Sequence, residues 1–363
     1  MEKRTVNPAP MPQEGRKTEY SLENLPVQKG VSFVVESFLS PRPSVATQGH
    51  RFPSPLPSCI MGRAMKETYS LGVDIGGSAM KAGVLRDEEI LWENSVPTKK
   101  GSASEFYGAL ALLVEEARAL FPVSTVGFGF PALVDQSLHR LLRLPNLPAL
   151  TDTDYLAPIK SFLPLPFIVD NDANLAAFGE YSLSSKKGGT FLLLTLGSGV
   201  GTGLVIGGNL FLGNRGFIEG GHIVVEPEGK ICPCGSRGCL ETETTIRPLK
   251  ETYSSLTNAP SPEPAEIGER ARKGEEAALQ CFRRFGYYLG LGLTTFQNLL
   301  NPDTIVLGGG LSHLADLFLP TALATLRERS YTYPHSLPEI RTGTLLNRAG
   351  FVGAALYAAH KHG

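Results

Sequence analysis

The fold is decided by the stretch Ser70-Leu-Gly-Val-Asp-Ile-Gly-Gly-Ser-Ala-Met-Lys-Ala-Gly-Val-Leu85. It has the pattern of an apolar strand, a glycine turn and a second apolar strand. A third apolar segment, Ile90 to Val96, follows closely, so the pattern predicts an antiparallel meander. The same order returns at Thr190 to Ile206, again with glycines between two strands. Helical stretches follow each of these openings. The sequence therefore predicts a duplicated α/β fold of two domains with a cleft between them.

The composition changes along the chain and suggests domain boundaries. Residues 1–66 contain nine of the 27 prolines and show no sustained helical or strand period. This segment is predicted to be a disordered tail, or sequence upstream of the true start. An N-terminal domain is predicted over 67–181, completed by a C-terminal helix near 350–363. A larger C-terminal domain is predicted over 182–349.

The charge and the cysteines limit the classes of protein. The 363-residue chain has a formal net charge of -1, so no global field favours nucleic acid or an anionic membrane. Three of the five cysteines lie in one short cluster, which argues against a disulfide framework. The sequence has neither an apolar run long enough for a membrane span nor an N-terminal signal pattern. We expect a cytoplasmic protein without membrane or nucleic-acid partners.

The first glycine turn follows the first predicted strand. Gly76 and Gly77 let backbone amides approach a phosphate, and Ser78 adds a hydroxyl donor, although a plain hairpin turn explains the pattern equally well. Asp74 beside the turn favours the phosphate interpretation. A carboxylate at that place is useful chiefly for holding Mg²⁺ or its waters.

Two further glycine turns follow later strands. Between Leu196 and Gly203, glycine alternates with Ser198 and other residues, and such alternation weakens a buried strand unless a ligand must approach the backbone. A second phosphate contact is therefore favoured. The glycine triplet 308–310 can place a purine or ribose against the backbone, or it can cap a helix.

Polar residues stand together between a predicted strand and a predicted helix at Asp170-Asn-Asp-Ala-Asn174. A carboxylate at a strand end can act as a general base on a hydroxyl, and an amide can both donate and accept toward a polyhydroxylated ligand. Asp and Asn are also preferred at helix N-caps, which explains one of these residues but not all four polar ones.

Four ligands suited to zinc lie within eighteen residues, with glycines between them. They are His222, Cys232, Cys234 and Cys239. A Cys₃His set matches the donors of a closed, tetrahedral structural zinc site. Two acidic residues, Glu219 and Glu241, flank the cluster, and we expect them to face another ligand.

Together these motifs resemble the ROK family (repressors, open reading frames, sugar kinases), within the actin-like hexokinase superfamily. The resemblance covers roughly 70–360 and rests on six segments in the family's order. The segments begin at Asp74, Asn171, Leu196, Glu219, Cys232 and Leu307. The resemblance implies an actin-like ATPase (ribonuclease H-like) duplicated fold with the active site in the cleft. It also implies an ATP-dependent hexose kinase, usually acting on the C6 hydroxyl, with Mg²⁺, structural Zn²⁺ and a homodimeric or homotetrameric assembly.

The resemblance also assigns roles to individual residues. Asp172 matches the catalytic base. The residues that match hexose contacts are Asn146, Asn171, Glu219, His222 and Glu241. The nucleotide set is Asp74, Gly76, Gly77, Ser78, Lys81, Gly197, Ser198, Gly199, Gly201, Thr202, Gly308, Gly309 and Gly310. His222 thereby serves as a zinc ligand and as a sugar contact.

Several functions fit this resemblance. Glucokinase is the leading prediction, because the sugar-holding set matches. The alternatives in the same class are an N-acetylglucosamine or N-acetylmannosamine kinase, a fructokinase and a polyphosphate glucokinase. A ROK repressor needs an N-terminal helix-turn-helix, and residues 1–66 show no such pattern. A sugar-binding pseudo-enzyme is disfavoured because Asp74 and Asp172 are both retained.

Overall fold

The computed structural model describes residues 68–185 and 187–362. The predictions for residues 1–66 lie outside this part of the chain. No helix within the described ranges is long and apolar enough to span a bilayer.

Five strands form the first sheet. They are β1 (Tyr69–Ile75), β2 (Ala79–Arg86), β3 (Glu89–Pro97), β4 (Thr125–Phe130) and β5 (Phe167–Asn171). Their spatial order is β3-β2-β1-β4-β5, with the first three antiparallel and the last two parallel to β1. Helix α1 (Ala103–Leu120) connects β3 to β4. Its start is fixed by Ser102, whose hydroxyl accepts the N–H of Glu105 at 3.2 Å, as expected of an N-cap.

A small antiparallel sheet is inserted between β4 and β5. Its strands are Leu133–Asp135, Arg140–Arg143 and Thr153–Asp154, and the short helix α2 (Leu156–Phe162) follows it. We call these three strands the small sheet. The sequence pattern did not predict it, because each strand is too short to show a period.

Five strands also form the second sheet. They are β6 (Thr190–Leu196), β7 (Val200–Ile206), β8 (Asn209–Leu210), β9 (Thr304–Gly308) and β10 (Glu339–Thr342). Their spatial order is β8-β7-β6-β9-β10, and β9 and β10 run parallel to β6. The first three strands are therefore a meander and the last two are parallel additions, as in the first sheet. This repetition confirms the predicted duplication.

Helices occupy the connections and the space between the sheets. They are α3 (Asp172–Ser182), α4 (Ile246–Thr257), α5 (Pro264–Arg272), α6 (Glu276–Leu300), α7 (Ala315–Arg329) and α8 (Ala349–His362). Helix α8 packs on the first sheet, α3 packs on the second, and the two helices pack on each other. The contact is close: a Cβ at Gly353 of α8 would lie 1.7 Å from the carbonyl oxygen of Leu175 in α3. Asp172, the residue that follows β5, is thus the first residue of a helix that contacts both sheets.

Candidate active site

A cavity of about 200 Å³ opens between the two sheets. Asp74 and Lys81 line it from the first sheet, where they are cross-strand partners on β1 and β2. Directly opposed residues of neighbouring strands project from the same face, so both charges enter the cavity together. Burial raises the pKa of Asp74 to about 6, while the charge of Lys81 opposes that change.

The first glycine turn lies beside this pair. Within the turn, the Gly76 amide donates to the carbonyl of Ala79 at 2.9 Å. The Thr98 hydroxyl donates to the carbonyl of Gly76 at 2.7 Å, which ties the turn to the end of β3. Ser78 is exposed at the tip. The turn is therefore a hairpin that follows the cavity residue Asp74, and Gly76, Gly77 and Ser78 are not among the residues that line the cavity.

Asp172 begins α3 and lines the same cavity. Burial first, and then the charges of Asp74 and Glu219, raise the pKa of Asp172 to about 7. Asn171 is the N-cap of α3, because its Oδ1 accepts the N–H groups of Ala173 and Asn174 at 2.9 and 3.2 Å. Its Nδ2 also donates to the carbonyl of Ala132 at 3.1 Å. Capping thus explains Asn171 and leaves Asp172 facing the cavity.

Asp170, the residue before the N-cap, stabilises the start of α3. Its buried carboxylate accepts the Asn171 N–H at 2.7 Å, the Asn174 amide at 2.8 Å and the Gln136 amide at 2.6 Å. Burial raises the pKa of Asp170 to about 6 despite these hydrogen bonds. Asp170 therefore fixes the α3 N-terminus, and it is not among the residues that line the cavity.

The second glycine turn is shorter than the sequence pattern suggested. It comprises Gly197, Ser198 and Gly199, because β7 already begins at Val200. The Gly197 amide donates to the Gly199 carbonyl at 3.1 Å, which closes the turn. Ser198 is exposed at its tip, beside the start of α4.

Gly201 and Thr202, both predicted as nucleotide contacts, have packing roles in the structure. A Cβ at Gly201 would lie 2.8 Å from that of Ala173, so glycine lets β7 approach α3. The buried Thr202 hydroxyl donates to the carbonyl of Ile218 and accepts the N–H of Gly220, both at 2.9 Å. Thr202 thereby holds the turn that carries Glu219.

The glycine triplet lies across the cavity from β1. Gly308 and Gly309 line the cavity, whereas Gly310 begins a 3-10 turn. Gly309 has a φ of 78°, and a Cβ there would lie 2.4 Å from the carbonyl oxygen of Leu196. Only glycine satisfies both conditions. The triplet therefore brings the end of β9 against the end of β6 at the cavity wall.

The four predicted zinc ligands converge, with their donor atoms all within 4.8 Å of one another. The Cys234 and Cys239 sulfurs are 3.7 Å apart, and the Cys232 sulfur lies 3.6 Å from Nδ1 of His222. A tetrahedral zinc ion with ordinary Zn–S and Zn–N bonds requires about 3.8 Å and about 3.6 Å between such donors. Burial and the neighbouring thiols raise the pKa of the Cys239 thiol, and a coordinating cation would oppose that change by favouring the thiolate. The donor set fits Zn²⁺.

The acidic residues beside this cluster have different environments. Glu219 is 42% exposed at its side chain, and its carboxylate lies 4.0 Å from Nε2 of His222. Burial raises the pKa of Glu219, and the charges of His222 and Arg143 oppose that change. The Glu241 carboxylate accepts the N–H of Val200 at 3.0 Å. This hydrogen bond links residues 219–241, which carry the predicted zinc ligands and which we call the metal loop, to the second glycine turn. Glu219 therefore lies on the Asp172 side of the cluster, and Glu241 lies on the side of the second glycine turn.

Asn146 lies in the turn between the second and third strands of the small sheet. A Cβ at Gly77 would lie 3.1 Å from the Cβ of Asn146, so Asn146 packs on the first glycine turn. The predicted sugar residues thus come from three separate segments: this turn, the start of α3 and the metal loop. A second, more open pocket lies beyond the second glycine turn, and Ser198, Ile246 and Arg247 contribute to it.

Several cavity residues were absent from the sequence prediction. Glu180 of α3 is buried, and its carboxylate accepts the N–H groups of Thr344 and Leu345 at 3.0 and 2.8 Å. It thereby holds the loop after β10 at the cavity wall. The sequence signal that could have indicated it is a glutamate within an otherwise apolar helix segment, eight residues after Asp172. Gly350 also lines the cavity, where a Cβ would lie 2.4 Å from the Asp74 carboxyl carbon.

Comparisons with known proteins agree with this geometry. The ROK family model matches residues 70–361. The chain is similar to the glucokinase of Streptomyces coelicolor, with 33% identity over 307 residues that cover 79% of this chain and 96% of that protein. It is 30% identical over 290 residues to the N-acetylmannosamine kinase of Haemophilus influenzae, covering 79% of this chain and 94% of that one.

A solved structure gives the same result for the fold. The ROK family glucokinase of Streptomyces griseus, in complex with glucose and AMPPNP, superposes with a TM-score of 0.70 at 31% identity. The match covers 80% of this chain and 99% of that one. The predicted actin-like duplicated fold is thereby confirmed. The chain belongs to the ROK family and is a sugar kinase.

Proposed function

We propose that the protein transfers the γ-phosphoryl group of ATP to the C6 hydroxyl of a hexose, with glucose as the leading substrate. The observation that carries this proposal is the position of Asp172. Its carboxylate lines a cavity between the two sheets, with Asp74 and Lys81 opposite and the glycine triplet on the far wall. A base, a cationic side chain and exposed backbone thus surround one space in which phosphate and hydroxyl can meet.

Asp172 is proposed as the general base. As the hexose oxygen attacks the γ-phosphorus, its proton passes to the Asp172 carboxylate, and the bond from phosphorus to the bridging oxygen of ADP breaks. A base works best when its pKa lies near the operating pH. The pKa of about 7 for Asp172 meets that condition at neutral pH.

The phosphate end of the cavity is assigned to Asp74, Lys81 and the glycine turns. The Asp74 carboxylate offers an oxygen ligand of the kind Mg²⁺ prefers, directly or through water. When bound, Mg²⁺ supplies charge neutralisation on the phosphate oxygens. Lys81 contributes a fixed positive charge from the neighbouring strand. The open pocket beside Ser198 is the proposed place of the nucleotide base, because it adjoins the second glycine turn.

The hexose end is assigned to Asn146, Asn171, Glu219, His222 and Glu241. His222 supports this assignment, since its two ring nitrogens face opposite ways: Nδ1 lies near the Cys232 sulfur and Nε2 near Glu219. With Nδ1 on the metal, Nε2 is a donor that can contact a sugar hydroxyl beside Glu219. In this proposal, zinc fixes the loop and takes no part in the transfer.

A substrate panel tests the proposal. Purified protein is assayed with glucose, mannose, fructose, N-acetylglucosamine and N-acetylmannosamine, each with ATP and with polyphosphate, and the inactive control is Asp172→Asn. We expect the highest kcat/KM with glucose and ATP. N-acetylmannosamine is the second candidate, because the Haemophilus influenzae relative with that activity is 30% identical. Phosphorylation of none of the five sugars would refute the proposed function.

The assembly and the location remain predictions. A homodimer or homotetramer and a cytoplasmic location are expected from the family resemblance and the sequence. Light scattering of the purified protein measures the first, and fractionation of the source cells measures the second.

A further inference from the structure

One arginine connects the small sheet to the metal loop. Arg143, the last residue of the second strand of the small sheet, donates from Nη2 to the carbonyl of Pro233 at 2.8 Å. Pro233 stands between two of the zinc ligands, Cys232 and Cys234. A side chain from the first half of the chain thus holds the backbone of the loop that the metal folds.

The same arginine lies beside the proposed hexose contacts. Asn146 follows three residues later, in the turn that packs on Gly77. The charge of Arg143 also attracts that of Glu219, which begins the metal loop. Arg143 therefore stands between two groups that we assign to the hexose, one from each half of the chain.

The small sheet has a second and separate attachment to the other half. Nη1 of Arg215 lies 3.5 Å from Oδ2 of Asp135, whose side chain is fully buried. A Cβ at Gly216 would lie 3.2 Å from the carbonyl of Val134, so the loop and the strand are in close contact there. The strand that begins the small sheet is consequently held without Arg143. Removal of Arg143 is expected to release only the end that carries Asn146.

We propose that Arg143 is a positioning residue for the hexose: its hydrogen bond to Pro233 holds the Asn146 turn against the metal loop. This inference rests on the proposed function, because it takes the hexose site as assigned above. It concerns affinity for the sugar and leaves the phosphoryl-transfer step to Asp172. The expected signature is a change in the hexose KM without a change in kcat or in the KM for ATP.

The test uses Arg143→Gln, Arg143→Lys and the matched control Arg140→Gln. Arg140 belongs to the same strand but pairs with Asp152 on the surface, at 2.9 Å. Hexose Kd is measured by calorimetry without nucleotide, together with KM, kcat, zinc per chain and Tm. For Arg143→Gln we expect the hexose Kd and KM to rise about fivefold or more, the usual effect of losing one hydrogen bond. Arg143→Lys is expected to recover most of the affinity, because lysine keeps a charged donor.

The outcomes separate this inference from the proposed function. A hexose Kd for Arg143→Gln equal to that of Arg140→Gln overturns it. Loss of zinc or a lowered Tm in Arg143→Gln would show that Arg143 stabilises the fold or the metal site, and a lowered kcat would show that it acts in the transfer step. Either result also overturns the inference that Arg143 positions the hexose. A wild-type protein that binds and phosphorylates no hexose refutes the proposed function itself, and the inference with it.

Discussion

Replacing Asp172 by asparagine is expected to lower activity and raise stability at the same time. The asparagine keeps the shape of the side chain, and its Oδ1 can still accept the N–H of Ala173, which is 2.8 Å from the aspartate oxygen. The start of α3 is therefore preserved. Because a positioned general base accelerates a reaction by about 10²–10⁴-fold, kcat is expected to fall by at least about 100-fold. The hexose Kd is expected to change little.

The stability change follows from the pKa of the wild-type carboxyl group, which rises from 3.8 in the unfolded chain to about 7 in the folded one. Well below pH 3.8 the carboxyl group is protonated in both the folded and the unfolded state, so its ionisation does not change the free energy of unfolding. As the pH rises to 7, the unfolded state ionises first, so the folded state loses stability, up to about 4 kcal/mol. Since solvent reaches this side chain, about half of that limit is a realistic gain for the variant. A gain of about 2 kcal/mol raises Tm by about 4 °C.

The assay pairs turnover with calorimetry. Turnover is measured by ADP release with glucose, and Tm is measured without ligands at pH 8 and pH 5. The rise in Tm is expected to be less than half as large at pH 5, because the wild-type carboxyl group is then mostly protonated. A variant with near-normal kcat would show that Asp172 is not the base. An equal rise in Tm at both values of pH would show that its pKa is not raised.

Three further substitutions test the metal site, the packing of α8 on α3 and the phosphate end of the cavity. Cys234→Ser is expected to release zinc, lower Tm and weaken hexose binding, since metal binding and local folding are linked; full zinc content by mass spectrometry contradicts the proposed metal site. Gly353→Ala is expected to destabilise the fold by about 3 kcal/mol in urea, because the methyl group meets a carbonyl of α3. The control Gly108→Ala, with nothing within 4 Å, is expected to stabilise it slightly; equal effects of the two substitutions refute the packing argument. Asp74→Asn is expected to lower kcat and to move the acid limb of the pH profile to lower pH, since the charge of Asp74 helps to raise the pKa of Asp172; an unmoved limb contradicts this coupling.

The sequence predicted the strands and helices that show a regular apolar pattern, and it predicted the zinc ligands that lie close together in the chain. The two strand–turn–strand openings each place two apolar strands and a glycine turn in one short stretch, so they can be read directly. The four predicted zinc ligands lie within eighteen residues, so their convergence needs only local folding. In both cases the information is contained in one short segment.

The sequence could not predict contacts that depend on packing between distant segments. The sequence pattern predicts Gly201 as a phosphate contact, and the structure adds that Gly201 makes room for Ala173 of a helix from the other half of the chain. The hydroxyl of Thr202 is occupied by the turn at Gly220, a pairing across 18 positions that no local pattern shows. Glu180 and its loop are separated by 164 residues. A residue type suited to ligand contact is equally suited to close packing, so the sequence alone does not separate the two roles, and the nucleotide contacts of Gly201 and Thr202 stay predictions.

The interlocked pair of helices between the sheets has a consequence for biosynthesis. Helix α8, which covers the first sheet, is encoded after every strand of the second sheet. A nascent chain that has left the ribosome as far as β5 therefore exposes apolar surface that it has no means of covering. This surface stays exposed until about two hundred further residues, ending with α8, have been translated. At the usual rate of translation this takes roughly ten to forty seconds. We expect the emerging first half to be a client of ribosome-associated chaperones, and folding of the whole chain to be slow, because its longest-range contact closes last.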